Sequence, residues 1–208
     1  MAPDDSTASF RRISWTARFL DDPNVIARVP NSRLAKRDTE DSLYAEILKT
    51  DRTIRNCIVV YRKSANVEDE ISEATTLYEV GDGMNGHPEI IHGGITATMI
   101  DESMGIMQME NLERKRRKEK QVAEEEKREP SEGLSAFTAY LNVQYLKPVR
   151  TPSAIAVTAR TVKKEGRKEW VVAELKQWHE DEGTGEVVVC AKGESLWITP
   201  KAKEYSKL

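Results

Sequence analysis

The segment Gly94 to Gln108 constrains this chain more than any other. Ala97, Met99, Ile100, Met104, Ile106 and Met107 leave a helix over these residues almost no polar face. A helix that is apolar nearly all round has to be enclosed by the rest of its domain, so the remaining chain must supply a wrapping layer.

The flanking sequence has the periodicity of that layer. From Thr138 to Tyr145, the residues Ala139, Leu141, Val143 and Tyr145 alternate with Thr138, Tyr140, Asn142 and Gln144, the period of two that a strand with one buried face requires. Branched and aromatic residues predict further strands at Ile54 to Arg62, Glu73 to Val80, Ala154 to Val162, Trp170 to Trp178 and Val187 to Ile198. Gly166, Gly183 and Gly185 supply tight turns. Two strands, a buried helix and four more strands describe an α+β chain, not alternating βαβ units. An antiparallel sheet round one helix leaves an open edge, which a second copy of the chain would cover. The expected assembly is a homodimer, with a dimer of dimers left open.

At 208 residues there is room for one such domain with peripheral segments. The charged fraction of 32%, against about 25% in typical domains, locates those segments. Residues 1–53 read as an N-terminal helical arm. It contains Pro23 and Pro30 and ends in a short amphipathic helix after Thr39, with Leu43, Ile47 and Leu48 at helical spacing. Residues 54–199 form the domain and 200–208 a tail. Within the domain, 110–133 is a charged insertion: Arg114-Lys115-Arg116-Arg117-Lys118 precedes Glu124-Glu125-Glu126, so opposite charges recur at helical spacing and predict a solvated helical extension.

Several function classes drop out. The formal net charge of −3 gives no overall attraction to nucleic acid or anionic lipid. Cys57 and Cys190 lie far apart without metal-type spacing, which argues against zinc and disulfides and for a reducing compartment. No apolar run approaches the roughly 20 residues that span a bilayer. A cytoplasmic location is expected; the basic amphipathic stretch Phe10 to Leu20 leaves a mitochondrial address open, against the acidic pair Asp4 and Asp5. Neither a Gly-x-Ser-x-Gly elbow nor a Gly-x-x-x-x-Gly-Lys phosphate loop is present.

Chemistry concentrates at the start of the buried helix. Gly93 and Gly94 stand where a loop becomes that helix, and the first N–H groups of a helix have no internal partner. They can grip a carbonyl oxygen and the oxyanion that develops from it, or merely allow tight packing. Asp101 is a carboxylate within the apolar stretch, where burial without a partner costs several kcal/mol. It is a general base or nucleophile, or it faces water or caps a loop. His92 reads as the residue that orients the turn.

The run His92-Gly93-Gly94-Ile95-Thr96-Ala97-Thr98-Met99-Ile100-Asp101, then Thr138-Ala139-Tyr140-Leu141-Asn142-Val143-Gln144-Tyr145-Leu146-Lys147-Pro148, then Glu165-Gly166-Arg167-Lys168, resembles the PaaI-like and THEM-type acyl-CoA thioesterases of the hotdog superfamily. The likeness spans about residues 54 to 199. It implies a hotdog fold, an antiparallel sheet wrapped round a central helix. It also implies that the Gly93 amide polarises a thioester carbonyl, that Asp101 acts from the partner subunit, and that the Thr138 hydroxyl places the attacking water. Asn85, Gln144, Lys147, Arg167 and Lys168 fall at or near positions that would bind substrate. The expected activity is hydrolysis of acyl-CoA thioesters without metal or redox cofactor, coenzyme A entering as part of the substrate. Its rivals are release from a carrier protein or dehydration on the same fold, and a non-catalytic acyl-CoA binder.

Overall fold

The computed structural model describes residues 6–66, 69–131, 133–181 and 184–201. Among them, an antiparallel seven-stranded sheet curls round one long helix, the α+β hotdog arrangement expected. The strands are β1 (Val25–Arg28), β2 (Ile54–Arg62), β3 (Glu73–Val80), β6 (Phe137–Tyr145), β7 (Ser153–Glu165), β8 (Lys168–Asp181) and β9 (Thr184–Ile198). They are ordered β1-β2-β3-β7-β8-β9-β6. A small hairpin, β4 (Asn85–His87) with β5 (Ile90–Ile91), leads into the helix α3 (Gly93–Glu126).

The predicted helix is fully enclosed on one side. Met99, Ile100, Met104, Ile106 and Met107 are buried against Val59, Tyr78, Ile155, Val157, Leu175 and Ala191 from the concave face of the sheet. Contact is close because β9 has no side chain at Gly193, where a Cβ would stand 2.5 Å from Ile100 Cγ2. Removing one large apolar side chain from such a core costs about 2–5 kcal/mol.

Three features differ from the sequence reading. Helix α3 carries the expected extension without a break, running for 34 residues, about 51 Å at 1.5 Å per residue. Its second half begins buried rather than solvated. Glu110 accepts hydrogen bonds from Arg28 and from Tyr61 Oη, Asn111 bonds both backbone groups of Ile71, and Arg114 lies 5.2 Å over the Tyr61 ring. Counting charges predicts a wet surface; here each buried charge has a partner, which is what burial requires.

The N-terminal arm does more than lie on the domain, because Val25–Arg28 extends the sheet beside β2. Before it, the short helices α1 (Ala8–Arg11) and α2 (Ser14–Ala17) bury Phe10, Trp15 and Leu20 on the convex face against Ile58, Val60, Leu77 and Ala156. The helix expected after Thr39 is a π-helical turn, Leu43–Ile47, closed by Leu48 N–H to Leu43 O at 2.7 Å. That wider turn rotates Tyr44, Ala45 and Leu48 inward and leaves Leu43 and Ile47 exposed, so the apolar face read from helical spacing is displaced. The buried Arg33 guanidinium holds the turn by donating to the carbonyls of Tyr44, Leu48 and Ile54.

Candidate functional site

The sequence-predicted residues fall into two clusters along one face of α3, which lies beside the edge strand β6. The first is the helix start. His92 is its N-cap, with extended backbone and with Nδ1 accepting from Gly94 N–H at 3.0 Å. The Gly94 amide is therefore engaged by histidine, whereas the Gly93 amide, at the first helical position, has no acceptor within the helix. Gly93 is further fixed from β6. Tyr145 Oη donates to its carbonyl at 2.9 Å, and the Tyr145 ring lies 3.5 Å from where a Gly93 side chain would begin. Tyr145 was read from the sequence only as an inward strand position; in the structure it is exposed and holds the glycine peptide.

Hairpin β4–β5 backs this turn. His92 N–H donates to Met84 O at 2.9 Å, and the absence of a side chain at Gly86 lets the His92 ring sit against that backbone. Asn85 is thereby brought near the turn, although its Oδ1 accepts from Thr151 Oγ1 at 2.6 Å.

The second cluster lies two turns further on. Asp101 is half-buried and Oδ1 accepts from Thr138 Oγ1 at 2.9 Å, so the structure joins the carboxylate and the hydroxyl that the sequence singled out. Burial pushes the Asp101 carboxyl above the ordinary range, and the Thr138 hydrogen bond pulls it part of the way back. Neither pure exposure nor loop capping describes it. Eight residues of helix rise separate Gly93 from Asp101, about 12 Å, so one chain does not bring its own glycine amide to its own aspartate.

Glu102 is the residue that sequence reasoning missed. Burial raises its carboxyl to about 7, reinforced by Asp41 and Asp101 and opposed by Ser32 and Arg33. Its Oε1 is buried with no hydrogen-bond partner. The signal was available, a second acidic residue in the same apolar stretch, but Asp101 absorbed it.

The proposed substrate-binding side chains are split between the two ends of β6. Lys147 and Gln144 lie exposed at the Gly93 end. Arg167 and Lys168 lie exposed at the turn where Gly166 takes a φ of 56°. Lys168 pairs with Ile198, which pairs with Phe137, and this puts the turn at the Thr138 end of the sheet. Arg167 also donates to Thr199 O at 2.8 Å.

Comparison with known proteins bears on this geometry. Residues 89–185 match the family model of the Thioesterase superfamily. The chain is 29% identical over 149 residues to verlamelin biosynthesis protein B of a Lecanicillium species, an alignment covering 61% of this chain and 60% of that protein. It is 32% identical over 96 residues to the acyl-coenzyme A thioesterase THEM4 of Mus musculus, covering 46% of this chain and 32% of that protein. It therefore spans 60% or less of the length of these relatives. Among solved structures, zebrafish thioesterase superfamily member 2 superposes with a TM-score of 0.44 at 16% identity, covering 62% of this chain and 75% of that one. No helix among the described residues is long and apolar enough to cross a membrane.

Proposed function

We propose that this chain, whose residues 89–185 match the family model of the Thioesterase superfamily, hydrolyses acyl-CoA or a closely related acyl thioester, in a site completed by a second copy of the chain and without metal or redox cofactor. The observation that carries this reading is the half-buried Asp101 bonded to Thr138, on the same helix as a glycine amide that has no helical acceptor.

A two-fold partner resolves the 12 Å gap. Strand β6 is an edge of the sheet and exposes Phe137, Tyr140 and Tyr145, and such an edge is a template for pairing. Antiparallel pairing of two β6 strands sets the Asp101–Thr138 end of one copy against the Gly93–Tyr145 end of the other. The same operation brings Lys147 of one copy to the end that carries Arg167 and Lys168 of its partner, a group of cations suited to the phosphates of coenzyme A.

In such a site the thioester oxygen accepts from the Gly93 amide, with the positive end of α3 behind it. Asp101, ionised, takes a proton from water as the water oxygen bonds to the carbonyl carbon, and Thr138 holds carboxylate and water in register. Collapse of the tetrahedral intermediate breaks the C–S bond, and the departing thiolate takes the proton back from Asp101. The products are a carboxylic acid and free coenzyme A thiol. With Gly94 engaged by His92, Gly93 is the main donor, and His92 orients it.

The test is thiol release from acyl-CoA thioesters of graded length. Wild type is expected to turn over, and Asp101→Asn to lower kcat about 10²- to 10⁴-fold with an unchanged melting temperature. Survival of activity in the variant would remove Asp101 from this role, and saturable binding without turnover in wild type would make the chain a binder.

A further inference from the structure

One cavity begins at Glu102, the residue after the proposed catalytic carboxylate, continues along α3 away from Gly93, and is not used by the chemistry above. It encloses about 150 Å³ and is walled by Ile106, Met109 and Trp197 together with Ser32, Glu102 and Gln108. A cavity of about this volume accommodates a benzene-sized group, which corresponds to the distal end of a medium-length acyl chain and not to coenzyme A.

Its wall mixes apolar side chains with polar ones, Asn31, Asp41, Glu110 and Ser135 among them, and some of the polar atoms are unfinished. Glu102 Oε1 and Gln108 Nε2 are both buried without a hydrogen-bond partner. Ser32 Oγ, which neighbours Glu102 in the same wall, is likewise buried without a hydrogen-bond partner. Buried polar atoms are normally paired, and one left unpaired is destabilising. The Glu102 and Gln108 atoms are of opposite kind, since a carboxyl oxygen accepts and an amide nitrogen donates. The soft terminal torsions of Glu and Gln let both turn into the cavity.

That pairing discriminates among substituents. A carboxylate on the acyl chain would meet Glu102 and Asp41, which also lines the cavity; a cationic amine would leave Gln108 without an acceptor; a ketone, which only accepts, would leave the Glu102 carboxylate without a donor. A hydroxyl does both things, donating to Glu102 and accepting from Gln108.

We propose that this cavity is a specificity subsite for an acyl chain that bears a hydroxyl group, read by Glu102 and Gln108. The proposal rests on the thioesterase reading for its substrate class, but recognition itself does not require turnover. A site built to bond a hydroxyl disfavours the analogue that lacks it, because the polar atoms are then left unpaired.

The experiment uses the full-length chain with matched medium-chain acyl-CoA thioesters, unsubstituted or hydroxylated at successive carbons, and their non-hydrolysable thioether analogues. Wild type is expected to favour one hydroxylated isomer at least about 10-fold in kcat/KM and in thioether affinity. Glu102→Leu with Gln108→Leu is expected to bring that ratio to about one or below, and Glu102→Gln, which keeps an acceptor, to preserve most of it. Absence of turnover with an intact, Glu102-dependent preference in thioether binding would refute the hydrolase and leave the subsite standing. Equal affinity for hydroxylated and unsubstituted chains at every position, or a preference that the double substitution does not touch, would overturn the subsite, and ordered water would then be what satisfies Glu102 and Gln108.

Discussion

The two ends of the candidate site are made from different materials. At the helix start the functional group belongs to the backbone, and its surroundings are open: His92, Gly94 and Tyr145 are exposed. Two turns along, the functional group is a side chain, half-buried, held by Thr138 and followed by the still more buried Glu102. An N–H keeps its dipole at any pH and needs only fixing in space, which a histidine cap and a tyrosine hydroxyl achieve without burial. A carboxylate that must act as a base gains from partial desolvation, which lifts its proton affinity. The difference between them teaches that one helix can serve both needs when it leaves the sheet's cover at one end and passes under it further on.

The division can be attacked directly. The largest effect is expected from Gly93→Pro. Proline is tolerated at the first helical position, and His92 already has the extended backbone that precedes a proline, so the substitution deletes the amide and little else. Activity should fall about 10²- to 10³-fold with a melting temperature close to wild type. A 1:1 mixture of Gly93→Pro and Asp101→Asn chains, unfolded and refolded together, should regain roughly one quarter of wild-type activity, because half the dimers pair one intact amide with one intact aspartate. No recovery would place both ends of the site within a single chain or disconnect them.

A smaller effect concerns stability at the Glu102 end. Its carboxyl is raised from 4.5 to about 7 by burial. Between those pH values the folded chain retains a proton that the unfolded chain has lost, so stability should decline as pH rises through the interval, by up to about 3 kcal/mol. Asp41, Asp101 and Arg33 face the same group and spread the transition. Glu102→Gln should flatten the profile and raise the melting temperature at pH 8, as chemical or thermal unfolding would record; a slope that persists in the variant would assign it elsewhere. The smallest effect is Thr138→Val, with a loss of about 10-fold in kcat. Since the Thr138 hydrogen bond lowers the Asp101 pKa, its removal should move the acid limb of the kcat/KM profile to higher pH.

Much of the architecture was legible because periodicity reports burial directly. The apolar run at Met99 to Met107 and the strands at Ile54, Glu73, Ala154, Trp170 and Val187 lie where the pattern put them. What escaped were features that depend on pairing at a distance. Arg28 reaches Glu110 and Glu113 across more than 80 residues, so neither the first strand nor the buried turn of α3 at Glu110 announces itself locally. Leu43 and Ile47 point outward because a π-turn changes the period on which the reading relied. In the site, Asp101 and Thr138 were named from the sequence and stand in contact. Tyr145 was passed over because its role appears only once the helix is laid along β6, and Glu102 because its surroundings, Ser32, Arg33 and Asp41, come from a distant part of the chain.

The outer stretch of α3 ends in a doubled-back connection. Arg116 donates to Gly133 O, Arg128 pairs with Glu119, and Ser131 N–H bonds the same carboxylate, so the chain retraces the helix before entering β6. Outgoing and returning arms are matched like the two sides of a hairpin bridge. Whole helical turns added to or removed from both sides together would leave the span between Asp101 and Thr138 unaltered. This region is thus the fold's expansion joint, and the natural place to graft a reporter or an affinity handle without disturbing the reacting groups.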